Sequence, residues 1–110
     1  MIDLSLSWDR WNAMATYIVL INFTEQGIRN IKDSPRRAAA ATELARDFGI
    51  EIRDIFWTLG AFDGAVLMEA PNDQAVTSLA LKLSSLGNVR TQTLRAFRAN
   101  EFENLVAKLK

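Results

Sequence analysis

The 110-residue chain sets 13 Lys plus Arg against 13 Asp plus Glu, so its formal net charge is zero. It lacks the basic surplus that nucleic acid or an anionic membrane selects for. Cys and His are both absent, which excludes a disulfide framework, a Cys/His zinc site, a His haem ligand and any Ser-His or Cys-His nucleophilic pair. A chain of this length has room for one modest core, and its zero net charge puts little repulsion in the way of self-association.

Residues 1–13 precede a second methionine, Met14, and read as an N-terminal extension of a domain over 14–110. They lack the basic n-region, apolar run and small-residue cleavage site of a signal peptide. No apolar stretch approaches the about 20 residues that span a bilayer. Together with the missing cysteines, this suits a cytoplasmic protein. Leu4, Leu6, Trp8 and Trp11 admit two readings, an apolar anchor on a partner subunit or a frayed terminus.

The first strand is expected over 16–23, β-branched and aromatic and apolar on both faces. Thr24 then suits the cap of a short helical turn. At Ser34-Pro35 a helix restarts, because proline is favoured in a first turn. It should run to residue 48, with Ala41, Leu44, Ala45 and Phe48 at i, i+3, i+4, i+7 as its buried stripe and Gly49 closing it. A mixed apolar and polar strand follows over 50–59. Next comes a turn at Gly60-Ala61-Phe62-Asp63-Gly64, and then a strand over 65–70, again apolar on both faces. Asn72 caps a helix whose stripe is Val76, Leu79, Ala80 and Leu83, with Gly87 after it. The last strand, 88–97, carries Arg90, Thr91, Gln92, Thr93 and Arg95 and reads as an edge. A final helix over 101–109 has Asn100 and Glu103 at capping-box spacing and a stripe of Phe102, Leu105, Val106 and Leu109.

This order is β-α-β-β-α-β plus a C-terminal helix, an α+β chain. Two right-handed crossovers lead to a ferredoxin-like sheet with the first and third strands central. Those are the two strands that are apolar on both faces, so the sheet needs cover on both sides. The two main helices cover one side. A partner subunit's sheet, or the C-terminal helix folded underneath, must cover the other, and the partner sheet is preferred.

Several ordered segments carry a family resemblance. They are Thr24-Glu25-Gln26-Gly27, Ser34-Pro35-Arg36-Arg37, Trp57-Thr58-Leu59-Gly60-Ala61-Phe62-Asp63, Glu69-Ala70-Pro71-Asn72-Asp73 and Gly87-Asn88-Val89-Arg90-Thr91-Gln92-Thr93-Leu94. Over about residues 15–98 the chain resembles the GYD domain family, named for a Gly-x-Tyr-Asp signature. Gly60-Ala61-Phe62-Asp63 stands at that signature with Phe62 in place of tyrosine. The resemblance implies a dimeric α/β-barrel subunit from a bacterium or archaeon and brings no established reaction. At the level of fold alone it adds cofactor-independent monooxygenases of the antibiotic-biosynthesis type and haem-degrading enzymes.

Six residues are singled out as ligand-binding candidates: Tyr17, Asn22, Arg37, Trp57, Phe62 and Asp63. Each also has a plainer reading. Asp63 is either an acid or base at a pocket mouth or the group that satisfies backbone N–H in its turn. Trp57 and Phe62 line an aromatic pocket or pack in a core. Arg36 and Arg37 sit where the helix dipole disfavours cations, which points to an anionic partner or to a solvated face. Tyr17, the sole phenol, either donates to a substrate or packs. Asn22, Glu69 and Thr93 are polar strand residues that converge on a cavity if register permits.

No Gly-rich phosphate loop, metal cluster or catalytic set appears, so no cofactor, metal or catalytic residue is assigned. The expected function is a homodimer or larger homo-oligomer that binds a small molecule between sheet and helices, without nucleic acid or membrane as partner. Two alternatives stand beside it: a cofactor-independent monooxygenase or isomerase, and a structural protein-interaction module.

Overall fold

Period-two alternation sorts the first strand, β1 (Ala15–Phe23), into two apolar faces. Tyr17 and Val19, each 3% exposed, point toward the helices, while Ile18, Leu20 and Asn22 occupy the opposite face. A computed structural model describes residues 14–109. The expected extension over 1–13 lies outside the described residues.

The elements after β1 are α1 (Glu25–Arg29), a 3-10 turn (Ile31–Asp33), α2 (Ser34–Asp47), β2 (Glu51–Trp57), β3 (Gly64–Ala70), α3 (Asp73–Ser85), β4 (Val89–Ala96) and α4 (Ala99–Ala107). The sheet order is β2-β3-β1-β4 and every pairing is antiparallel. This is the ferredoxin-like arrangement, with β1 and β3 central. The sheet is open and does not close into a barrel within one chain.

Capping follows the side-chain chemistry. Thr24 Oγ1 accepts the Gly27 N–H at 3.1 Å, and Asn72 Oδ1 accepts the Ala75 N–H at 2.9 Å. The expected box at Asn100 and Glu103 is corrected. α4 begins two residues earlier than read, and Glu101 Oε1 accepts the Arg98 N–H at 3.0 Å. Arg98 lies two residues beyond the end of β4 and immediately precedes α4, where its N–H needs an acceptor outside the strand ladder.

The core lies between α2, α3 and one sheet face: Ala45 from α2, Val76 and Leu79 from α3, and Tyr17, Val19, Met68 and Ala70 from the strands. Ala45 is fully buried, and its small side chain lets α2 lie close to the sheet.

The register in β2 shifts between Ile52 and Asp54. Ile52 pairs with Met68 and Ile55 with Val66, so two isoleucines three apart both face the helices. The extra residue, Arg53, absorbs the parity change, as a β-bulge does.

The opposite sheet face carries Ile18, Leu20, Ala65, Leu67, Phe56 and Leu94. None of the described helices packs across it. α4 does not fold beneath the sheet: Phe102, Leu105 and Val106 stand exposed along it, and Leu109 is exposed beyond its end. Among the described residues no helix is long and apolar enough to cross a membrane.

Candidate functional site

A cavity of about 200 Å³ opens between the helical face of the sheet and α2, bounded at one end by Leu83 and Leu86. Val19, Ile21, Val66 and Met68 form its floor, Ala38, Ala41 and Leu44 its roof, and Ile52, Ile55 and Trp57 one side. The alanines on α2 leave this space open, since longer side chains at 38 and 41 would fill it. Apolar walls with a few placed polar groups describe a typical small-molecule site.

Four polar residues are among those that line the cavity: Ser34, Arg37, Asp63 and Asn88. Ser34, the first residue of α2, is 7% exposed, and its Oγ accepts the Trp57 indole N–H at 3.0 Å. That bond ties the end of β2 to the start of α2. Arg37 sits one turn further on. Its Nη1 donates to the Asn30 carbonyl at 2.7 Å, whereas its Nη2 is buried with no hydrogen-bond partner. Its neighbour Arg36 turns outward and pairs with Asp33.

Asp63 clamps the β2–β3 connection onto β1. Its Oδ2 accepts the Phe23 N–H at 2.9 Å, its own N–H donates to the Ile21 carbonyl at 2.8 Å, and its carbonyl accepts the Thr58 N–H at 3.0 Å. Gly60, at φ +114° within this connection, takes a backbone conformation that L side chains resist.

The six candidates therefore separate. Arg37, Trp57 and Asp63 meet at the cavity. Phe62 sits in the β2–β3 connection outside the lining, and its carbonyl accepts from Thr58 Oγ1. Asn22 and Glu69 lie on the opposite sheet face. Thr93, opposite Val19, lies on the helical side.

Tyr17 is on the helical side too, but beyond the cavity, in a shallow open depression with Asp73 and Arg95. Its hydroxyl donates to Asp73 Oδ1 at the start of α3, and the Arg95 guanidinium stands 5.6 Å from its ring centre. Burial, reinforced by the Asp73 carboxylate, pushes the Tyr17 phenol up to about 12.

On the open face, Glu69 receives Arg53 Nη2 at 3.2 Å and Arg98 Nη2 at 3.1 Å. Burial alone would raise its carboxyl, but the two guanidiniums outweigh that and hold it below the ordinary carboxylate range. Among the described residues no group of three or more Asp and Glu side chains is placed to hold a metal ion.

Ser34 escaped the sequence reading, which treated it as a helix start only. The buried Nη2 of Arg37 had no signal of its own; the nearest was the unfavourable placement of a cation in a helix's first turn.

The matched family model is the GYD domain, over residues 17–106. The chain belongs to the GYD domain family. A curated relative from Thermus thermophilus, described as a glutamine synthetase and cystathionine beta-lyase binding protein, is 35% identical over 98 residues, covering 88% of this chain and 100% of the relative. No solved structure matches the chain significantly. The GYD domain thus spans β1 through most of α4 and includes every residue of the cavity wall.

Proposed function

We propose that this GYD domain is a self-associating binding module that holds a small molecule in the cavity between sheet and helices. The observation that carries the reading is a four-stranded sheet with two apolar faces, only one of which the described helices cover. An uncovered apolar face of this kind marks an interaction site. A second copy presenting the same Ile18, Leu20, Leu67 and Leu94 surface is self-complementary about a twofold axis. Arg37, Trp57 and Asp63 are the proposed ligand contacts, and their position at the cavity supports that role.

The test is light scattering at micromolar concentration on the whole chain and on a Leu20→Glu variant. The reading expects a dimer or larger species that Leu20→Glu dissociates. A monomeric native chain, or an oligomer indifferent to Leu20→Glu, refutes self-association through the sheet. Native mass spectrometry reads the ligand half, for which a discrete bound mass is expected.

A second reading draws on the Thermus relative, whose description names two enzymes as binding partners. On this reading the chain docks on another protein, and the unpacked apolar stripe of α4 supplies the surface. Purified glutamine synthetase and cystathionine beta-lyase are the partners to assay, with Leu105→Asp expected to abolish capture.

A further inference from the structure

We propose that the cavity takes an uncharged aromatic molecule, a single ring with a small substituent, held by hydrocarbon contact alone. This rests on the small-ligand reading above and names the chemistry of that ligand.

The surface that the cavity presents is almost wholly hydrocarbon. The polar residues beside it have little to offer a ligand. Ser34 Oγ accepts the Trp57 N–H, and Asn88 Oδ1 accepts from Gln26 Nε2. Asp63 Oδ2 is occupied by the Phe23 N–H. Arg37 Nη1 donates to the Asn30 carbonyl, and its Nη2 is shut off from solvent and so from any ligand. A carboxylate or an ammonium entering this space would leave water and gain no partner, and an unpaired charge is the costliest group to bury. Water fares little better, since a cavity water needs about two to four polar partners. A space poor for ions and for water is one in which a hydrocarbon loses nothing and regains the dispersion contacts that an empty wall forgoes.

The walls favour a ring over an alkyl chain. Met68 brings a thioether to the floor and Trp57 an indole to one side. Sulfur–ring and ring–ring contacts each add to simple burial. Volume sets the size. A cavity of about 200 Å³ is somewhat larger than the roughly 150 Å³ apolar cavity that accepts benzene, which leaves room for one substituent. The space is also partly open to solvent, so entry does not require unfolding. Ala41, in the roof on α2, controls the room: a leucine there takes the volume that the ligand needs.

Calorimetric titration of the native chain with toluene, benzoate and benzylamine tests this, because the three rings are close in size and differ in charge. Toluene should bind, and each charged ring should bind at least about tenfold more weakly. Ala41→Leu should abolish toluene binding without lowering Tm, because it fills a space; the same change in a close-packed interface would lower Tm. Ala38→Val narrows the same roof and replaces Ala41→Leu if that variant fails to fold. If benzoate or benzylamine binds as tightly as toluene, the uncharged assignment is overturned while the small-ligand reading stands. Toluene binding that both roof variants leave intact places the site elsewhere and overturns the assignment too. If no ring binds, and a native preparation carries no adduct, both readings are overturned.

Discussion

Gly27 is the position at which a single methyl group should cost this domain most. A Cβ built there falls 2.1 Å from the Asn88 carbonyl oxygen and 3.1 Å from its carbon. Carbon and carbonyl oxygen meet comfortably at roughly 3.3 Å or beyond, so α1 must move away from the turn between α3 and β4. That turn is backbone and cannot yield as a side-chain tip would. The movement strains the bonds that hold α1 there: Thr24 N–H to Asn88 O at 3.1 Å, Thr24 Oγ1 to Gly87 O at 2.6 Å, and Gln26 Nε2 to Leu86 O at 3.1 Å.

Overpacking of this kind costs about 1–3 kcal/mol and each weakened bond about 1 kcal/mol, while the better helix propensity of alanine returns about 1 kcal/mol. The expected net loss for Gly27→Ala is roughly 3–5 kcal/mol, a fall in Tm of about 15–30 °C for a domain of this size. Thermal and urea unfolding followed by circular dichroism, at matched protein concentration, measures it. Arg29→Ala on the exposed side of the same helix is the control and should stay within about 0.5 kcal/mol of the native chain. A Gly27→Ala variant that unfolds with the native chain would refute the packing of α1 against Asn88.

Three further outcomes are expected. Tyr17 is the sole tyrosine, so absorbance titration isolates it; its midpoint should lie near 12 and fall in Asp73→Asn while staying above 10, because burial is the larger cause. The raised value also fixes the sign of its linkage: the Tyr17 contribution to stability is full below pH 10 and is lost between 10 and 12, where only the unfolded chain has released its proton. Glu69 runs the other way, its contribution present above the ordinary carboxylate range and lost as pH falls through its lowered value. Urea unfolding across acid pH should therefore show a shallower loss in Glu69→Gln. On α4, Phe102→Ser should change the unfolding free energy by less than about 0.5 kcal/mol, since the residue is 57% exposed.

Much of the fold was legible because it rests on local chemistry. Thr24 and Asn72 are short oxygen-bearing side chains at the two places where a helix needs its first N–H groups satisfied, and both cap as read. Ala45 on α2 and Phe48 at its C-terminal cap, and Val76, Leu79 and Leu83 on α3, all pack on or against the core. Doubly apolar β1 and β3 announced the central strands, and the sheet order agrees. The stripe on α4 was equally visible, but periodicity reports that a helix has an apolar face and not what that face meets.

The candidate site was less legible, for a reason that lies in β2. Strict alternation from Ile52 sends Ile55 to the far face; the shift around Arg53 brings it back and lets Trp57 reach Ser34. A bulge depends on how a neighbouring strand pairs, and that information lies outside the segment itself. Arg37 and Asp63 are 26 positions apart and share a wall only because α2 crosses the sheet above the end of β1. Caps, stripes and central strands were thus written in short stretches of chain, where each residue's neighbours are known. The cavity, the orphaned guanidinium nitrogen and the split between Arg37 and Asn22 were decided by long-range register, because one residue of slip carries a side chain from one sheet face to the other.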